Sequence, residues 1–407
     1  MASQDRFSLS ESLFYSSPVK TATGELNYTE FQPQSGSTFD AGTNFSIRVS
    51  SPDSFIDPKK TWLKFTLTPA GATDAANRMS ALGGAAVIKR IDTLVSGVEI
   101  ESIDSYNHYV SMLYKRQPLT YLQLLRETEK CAYDGSAAVT IASAAGTSGP
   151  ASRVVNHPLR VAIMEGHSNL IPVPFLRGGV EFRFTLESVL ANVFTIGGTS
   201  ITGYSISNVR LVCGMVKPMA SYLQQFQQKL ESGGEATLTI QIVRNLNFVP
   251  TASTSQESIL TPGYLSSLRS VMGAYRTASA PGFNNDIRNN LTSYFWMIGS
   301  KRYPLNKQIA TSDDDAENVM FALASIDNTY NHLRTPAATT GTGHLIYYNF
   351  CADSSFGNGE PCSDGQVRLI QTYSATPDVT GRVDFYVTYD AKLRVSAASV
   401  VLDALNV

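Results

Sequence analysis

The sequence has 407 residues, of which 43% are hydrophobic, so it is long enough for two or three globular domains. Only 16% of the residues are charged, against about 25% in ordinary soluble domains. The formal net charge of −2 excludes a chain that wraps nucleic acid over its whole surface, although it leaves room for local basic patches. The shortage of charge indicates that much of the surface is covered by something other than water, such as neighbouring subunits.

The cysteines and the first residues indicate the compartment in which the chain is made. Cys131, Cys213, Cys351 and Cys362 form no C-x-x-C pair, which argues against a zinc site and against a secreted disulfide framework. The N-terminus has no apolar segment typical of a signal peptide, and no apolar run approaches the ~20 residues of a membrane span. We therefore expect synthesis in a reducing compartment without a signal peptide.

Residues 1–35 are polar, rich in Ser, Thr and Gln, and follow neither helical nor strand periodicity. Two interpretations stand: a disordered tail, or an N-terminal arm that becomes ordered against a partner. In the second interpretation, aromatic side chains anchor the arm on that partner. The candidate anchors are Phe7, Phe14, Tyr15, Tyr28 and Phe31.

Residues 36–215 form the first strand-rich segment. Phe45, Ile47 and Val49 alternate with polar residues, as expected of a half-buried strand. Further strands are predicted at residues 62–67, 87–95, 98–101, 160–164, 180–186 and 207–215. Helices are predicted at residues 103–114 and 119–130, followed by a long surface loop of small residues at 132–152.

Residues 216–235 predict a helical connector. Pro218 prevents a regular strand from continuing, and Ser221 can cap the helix that follows. Gly233 and Gly234 end the helix, because glycine adopts the left-handed conformation at little cost. One face of the helix is apolar, which predicts that it docks on the barrels it joins. The predicted docking face consists of Tyr222, Leu223, Phe226 and Leu230.

Residues 236–407 repeat the order of elements seen in the first segment. Strands are predicted at residues 238–242, 247–249, 294–298, 344–350, 367–373, 383–389 and 393–402. Asp314 and Glu317 form a capping box for a helix that interrupts them. Many short strands with a helical insertion predict an all-β fold of two tandem eight-stranded jelly-roll barrels, with short helical insertions.

Few residues suggest chemistry. Asp313–Asp315 suits either a divalent cation or a helix N-terminus, and we favour the helix because carboxylates there meet free N–H groups. Glu99 and Glu101 share one face of a strand and could form a glycosidase pair, but we favour a solvated strand end. The histidines lack metal-ligand spacing, and neither a nucleophile elbow nor a P-loop is present. We therefore assign no catalytic, cofactor-binding or metal-binding residue.

Lys59–Lys60 and Lys301–Arg302 are small basic pairs. They could contact nucleic acid, but salt bridges between subunits or simple solvation are the favoured interpretation.

Several segments of the sequence resemble the double jelly-roll major capsid proteins of DNA viruses. Within that lineage the likeness is greatest to virophages and polinton-like viruses, and adenovirus-type proteins are more distant. The segments that carry the resemblance are residues 54–61, 91–107, 230–234, 290–304 and 383–390.

The resemblance implies a structural protein of the virion rather than an enzyme. Three subunits would form a pseudo-hexagonal capsomer that tiles an icosahedral shell, with the N-terminal arm pointing inward. The implied partners are further copies of the chain, neighbouring capsomers, and penton and minor capsid proteins, without cofactors or sequence-specific nucleic-acid binding. Two other classes stay open: a jelly-roll adhesin, spike or carbohydrate-binding protein, and, more weakly, an enzyme on a double β-sandwich.

Overall fold

The structure, a computed structural model, describes the larger part of the chain. The described residues are 24–71, 76–117, 119–133, 137–141, 151–165, 169–197, 201–261, 265, 267–276, 286–305, 308–311, 345–351, 359–362, 366–397 and 399–404. The site at Asp313–Asp315 and the helix predicted after it lie outside these residues.

The first barrel contains the strands β1 to β11, with helices inserted after β7 and after β9. The strands are β1 (Gly24–Phe31), β2 (Thr38–Asp40), β3 (Asn44–Val49), β4 (Phe55–Gly71), β5 (Arg78–Met79), β6 (Ile88–Val95), β7 (Val98–Ile103), β8 (Arg153–Pro158), β9 (Val180–Leu186), β10 (Phe194–Thr195) and β11 (Ile201–Pro218). The helices are α1 (Tyr106–Lys115), α2 (Leu119–Glu129) and α3 (Leu190–Val193), with 3-10 turns at Gly83–Val87 and Val173–Phe175.

Helix α4 (Ala220–Glu231) connects the first barrel to the second. The strands of the second barrel are β12 (Ala236–Phe248), β13 (Ser255–Thr261), β14 (Leu268–Arg276), β15 (Asp286–Ile287), β16 (Leu291–Ile298), β17 (Lys301–Tyr303), β18 (Ile309–Ala310), β19 (Ile346–Asn349), β20 (Val367–Tyr373), β21 (Arg382–Val395) and β22 (Val400–Ala404).

Each barrel is a sandwich of two antiparallel sheets with the same strand order. In the first barrel the sheets follow the orders β2–β11–β4–β8 and β3–β9–β6–β7, and β1 also pairs with β11. In the second barrel the orders are β12–β21–β14–β19 and β13–β20–β16–β17. Apart from the additional strands β1, β5, β10, β15, β18 and β22, each barrel has eight strands. In both barrels the first of these eight pairs with the last and the second pairs with the seventh, which is the jelly-roll arrangement. The prediction of two tandem jelly rolls is confirmed.

Residues 24–31 correct the expectation of an irregular arm that reaches residue 35. They form β1, which runs antiparallel to the end of β11, from Gly24 opposite Pro218 to Phe31 opposite Leu211. All of its residues except Phe31 are exposed, so buried and exposed side chains do not alternate along it. Its backbone hydrogen bonds to β11, rather than burial of one face, hold this edge strand, and the sequence pattern therefore did not reveal it.

Two other strand predictions need correction. Residues 160–164 are not a strand; Met164 and Glu165 donate backbone hydrogen bonds to the Val161 carbonyl in a tight turn, and the strand is β8 at Arg153–Pro158. The turn is apolar because it packs into the core, not because it lies in a sheet. The strands predicted at 383–389 and 393–402 are instead one long strand, β21, followed by the shorter β22.

The two ends of the connector helix α4 are capped in different ways. Met219 occupies the N-cap position and no side chain caps the helix, so the predicted capping role of Ser221 is wrong. At the other end Gly233 adopts a φ of +86°, and the Gly234 amide donates to the Lys229 carbonyl at 2.9 Å. The predicted glycine stop is therefore correct.

The hydrophobic core of the first barrel continues into the second. A separate core fills the space between the two sheets of the second barrel, around Trp296 and Phe385. The opposite, outer face of the sheet β12–β21–β14–β19 packs into the core of the first barrel instead. The residues that do so include Val243, Met272, Ala274, Tyr347 and Tyr386.

Candidate functional site

The contact between the barrels, which we call the junction, is the candidate functional site. In it, α1 and β7 of the first barrel lie against β12, β14 and β21 of the second. All residues of α1 except Leu113 and Lys115 are buried. A helix on a protein surface buries only one stripe, so burial around almost the whole of α1 reflects a barrel on each side of it.

Asp384 is the charged centre of the junction. It lies on β21 and is fully buried, and its Oδ2 is 3.2 Å from His108 Nδ1 on α1. Arg382 Nη2 is 3.1 Å from its Oδ1, and Arg276 Nε is 3.5 Å from its Oδ2. Burial opposes ionisation, but the hydrogen bond from His108 and the two guanidinium groups outweigh it and hold the pKa of Asp384 below its ordinary value. The carboxylate therefore stays charged and paired.

Ser105, immediately before α1, receives hydrogen bonds from two residues of β21. Arg382 Nη2 donates to the Ser105 hydroxyl at 2.5 Å, and the Tyr386 hydroxyl donates to the Ser105 carbonyl at 2.8 Å. Ser105 has a φ of +49°, in the left-handed region that non-glycine residues rarely adopt. The second barrel thus bonds directly to the backbone at the start of α1.

Aromatic contacts fill the rest of the junction. The rings of Tyr109 and Tyr386 lie 5.1 Å apart. Near the C-terminus of α1, the Arg116 guanidinium sits 3.9 Å above the Tyr347 ring, and its Nη1 is 3.8 Å from the sulfur of Met272. A desolvated cation–π pair of this kind contributes up to about 2 kcal/mol. The junction is therefore packed like a protein interior along the length of α1.

Glu101 corrects the expectation of a solvated strand end. Glu99 is exposed, but Glu101 is only 3% exposed and does not share its surroundings. A register shift between Thr93 and Leu94 in the partner strand β6 separates the two glutamates. Glu101 Oε1 accepts a hydrogen bond from the Val243 amide of β12 at 2.7 Å, and Oε2 accepts one from the Ala162 amide at 2.7 Å. It joins the two barrels rather than forming a glycosidase pair.

A buried hydrogen-bonded chain fixes α1 to its own barrel. The Tyr106 hydroxyl lies 2.9 Å from His157 Nε2, and His157 Nδ1 lies 2.8 Å from Glu129 Oε2. Tyr114 donates to the other oxygen of Glu129 at 2.5 Å. Burial raises the pKa of Tyr106 and of Tyr114 well above the ordinary tyrosine value, so both keep their protons. The chain is sealed from solvent, which suits a structural role.

The predicted docking face of the connector lies against the first barrel at an aromatic cluster. The Phe226 ring is 6.0 Å from Phe55 and 4.7 Å from Phe175, and the Tyr222 ring is 6.2 Å from Phe55. Leu223 is half-buried and Leu230 is buried. We propose that these contacts hold the connector rigidly, so that it restrains the angle between the barrels.

Replacing both Phe226 and Leu230 with serine tests this role. Truncation of buried Leu or Phe side chains costs about 2–5 kcal/mol each, and the half-buried Phe226 belongs at the low end. We expect the double variant to lose at least about 4 kcal/mol of unfolding free energy in urea. Gln224 and Gln228 on the exposed face, both replaced with serine, provide the matched control. An unchanged unfolding free energy in the first variant would show that α4 is only a tether.

The remaining sequence-predicted residues are scattered over the first barrel and the edge of the second. Phe31 packs against the core, whereas Tyr28 is 55% exposed; Phe7, Phe14 and Tyr15 lie outside the described residues. Among the basic pairs, Lys60 lies 3.4 Å from Asp57 and Lys301 lies 3.0 Å from Glu360.

Metal and membrane sites were also sought. Within the described ranges, no three His, Cys, Asp or Glu side chains lie together so that they could hold a metal ion. In the same ranges, no helix is both long enough and apolar enough to cross a membrane.

Comparison with known proteins identifies the fold. No protein-family model matches the sequence, and no curated protein sequence matches it. The PBCV-1 virus capsid superposes with a TM-score of 0.65 at 13% identity, over 96% of this chain and 99% of that one. The Faustovirus major capsid protein gives 0.60 at 11% identity, over 94% and 92%. The mavirus major capsid protein gives 0.52 at 12% identity, over 96% and 93%.

These structures are double jelly-roll proteins, and the match extends over both barrels and the connector between them. The chain therefore has the double jelly-roll fold found in these viral capsid proteins.

Proposed function

We propose that this chain is a major capsid protein, a structural subunit that forms trimers and pseudo-hexagonal capsomers in the icosahedral shell of a DNA virus. The observation that carries the proposal is the junction. Two barrels of identical strand order are joined by buried charged, polar and aromatic contacts, so the chain is one rigid block that can serve as a tile. Its likeness to capsid proteins covers almost the whole length of both chains, as expected of a subunit with the same role.

The first barrel has a surface that matches the covered face of the second. In the second barrel, the outer face of β12–β21–β14–β19 is buried against the first barrel. The equivalent outer face of β1–β11–β4–β8 has no such cover within the described chain. Leu26, Tyr28 and Val154 on this side are 40%, 55% and 49% exposed, and the Trp62 ring lies 5.7 Å from that of Tyr28. We call the surface formed by Leu26, Tyr28, Trp62 and Val154 the open face.

The proposed occupant of the open face is the second barrel of another copy of the chain. In the junction, β7, the fifth jelly-roll strand of the first barrel, lies against the second barrel. Its counterpart in the second barrel is β17, which carries Lys301 and Arg302. Repeating the junction between copies produces a head-to-tail contact, and such contacts close into rings when the rotation allows.

The proposed partners follow from this arrangement. A closed ring of three copies presents six barrels of similar shape around its rim, which suits contacts with six neighbouring capsomers. Penton and minor capsid proteins would fill the remaining positions of a closed shell. The place of action is the virion.

The test is the mass of the purified protein in solution. Size-exclusion chromatography with light scattering should give three times the 44.1 kDa of one chain. A trimer interface of this kind is large and lasting, so the trimer should persist on dilution. A stable monomer that binds glycans on an array would instead support the adhesin or carbohydrate-binding alternative and contradict the capsid proposal.

Two N-terminal truncations separate the arm from strand β1. Removing residues 1–23 should leave folding and trimers intact but impair shell formation, if Phe7, Phe14 and Tyr15 anchor the arm on a neighbour. Removing residues 1–31 also deletes β1 and the core contact of Phe31, which should lower the unfolding free energy by about 2 kcal/mol. Urea unfolding and electron microscopy of assembled shells provide the readouts. Normal shells from the shorter truncation would show that residues 1–23 are not an assembly arm.

A further inference from the structure

We infer that Glu101 makes the junction a proton-dependent joint, in which the protonated carboxyl group holds the two barrels together and rising pH loosens them. This inference concerns the single chain and does not depend on whether the chain forms a shell.

The geometry places one carboxyl group between elements of both barrels. Glu101 extends from β7 of the first barrel, and its two oxygens accept from different backbones at 2.7 Å each. One donor, Val243, belongs to the second barrel, and the other, Ala162, belongs to the buried turn after β8. Separation of the barrels therefore breaks the bond to Val243 and exposes the carboxyl group to water.

Glu101 has no cationic partner within ion-pair distance among the described residues. The ionisable groups whose fields reach the neighbourhood come from the turn after β8, from α1, from β12 and from β21. They are Glu165, Arg160, Arg116, Tyr109, Arg244 and Tyr389. Arg160 is itself hydrogen-bonded to Glu165, and burial keeps the pKa of both tyrosines above the ordinary value. Glu101 is thus a buried acid without a counter-charge among the described residues.

Burial raises the pKa of Glu101 from 4.5 to about 8, against the two backbone hydrogen bonds that lower it, and the Glu165 carboxylate raises it further. If the barrels separated, water would reach Glu101 and its pKa would fall back towards 4.5. The closed junction binds the proton of Glu101 more tightly, so the contribution of Glu101 to its stability is full below pH 4.5 and declines as the pH rises from 4.5 to 8. Above that range both forms are ionised and the decline ends.

Hydrogen exchange at the Val243 and Ala162 amides measures this directly, because both donate to Glu101. After correction for intrinsic exchange, their opening equilibrium should increase about tenfold per pH unit between roughly pH 6 and 8, then level off. The Trp296 amide in β16, which lies in the separate core of the second barrel, reports on general loosening. Thermal unfolding should show the same pH dependence, with a Tm roughly 5 °C lower at about pH 9 than at about pH 6.

Two variants in the same strand make the test specific. E101Q cannot ionise, so its opening equilibrium should lose most of the increase between pH 6 and 8; E99Q, two residues away and exposed, should keep the full increase. Both keep His108, so any contribution of that imidazole is common to them. If E101Q does not fold, E165Q should move the levelling-off to lower pH by removing a neighbouring negative charge. Equal pH dependence in E101Q and E99Q, or no dependence in the unmodified protein, overturns the inference.

Discussion

Replacing Asp384 with alanine should lower the free energy of unfolding by about 3 kcal/mol and separate the unfolding of the two barrels. The carboxylate is fully buried and pairs with His108, Arg276 and Arg382, and its removal leaves these groups facing each other without a counter-charge. Breaking a buried ion pair costs about 3–5 kcal/mol, and the partial exposure of the two arginines places this one at the lower end.

Calorimetry of the variant should resolve two transitions where the unmodified chain gives one, because the junction couples the barrels. Asp403 provides a matched control. It pairs with Arg394 on the surface of the second barrel, so Asp403→Ala should cost at most about 1 kcal/mol and leave one transition. A single transition in Asp384→Ala, at an unchanged temperature, would mean that the junction does not couple the barrels.

Replacing Tyr28 with aspartate should convert trimers into folded monomers. Tyr28 is the most exposed residue of the open face, and an aspartate there would remove the aromatic ring and carry a hydrated charge into the contact with a second copy. Central interface residues contribute about 2 kcal/mol or more when truncated, which corresponds to a roughly 30-fold weaker contact. Fold stability should change little, because β1 is held to β11 by its backbone.

Val189→Asp is the control for the open face. Val189 is 47% exposed, similar to Tyr28, but lies between β9 and α3, away from the outer face of β1–β11–β4–β8. Light scattering of both variants at one concentration compares them. Trimers that survive Tyr28→Asp would place the contact between copies elsewhere, and monomers from both variants would indicate a general loss of association.

The architecture could be predicted from the sequence because strand alternation and turn residues are local signals. The strand at 367–373 and the helix that ends at Gly233 agree with the structure. Strand β1 could not be predicted, because an exposed edge strand has no buried face that would produce a clear apolar pattern. The turn at 161–164 was mistaken for a strand because burial alone makes a segment apolar.

The junction could not be predicted, because its residues look ordinary until the barrels meet. In β21, Val383, Phe385 and Val387 alternate with Asp384 and Tyr386, which predicts an exposed polar face. That face is buried by α1 of the other barrel, about 280 positions away in the chain, as the bond from Tyr386 to Ser105 records. The buried role of Glu101 could not be predicted for the same reason, since its partner Val243 belongs to the second barrel.

Negative-stain electron microscopy of the purified protein tests the capsid proposal most directly. A trimer of chains that each hold two barrels side by side should appear as a hexagonal outline with three-fold symmetry when viewed along its axis. Under conditions that favour assembly, these particles should pack edge to edge into sheets or shells. Compact two-lobed particles that never associate, at concentrations where the protein is folded, would contradict the proposal.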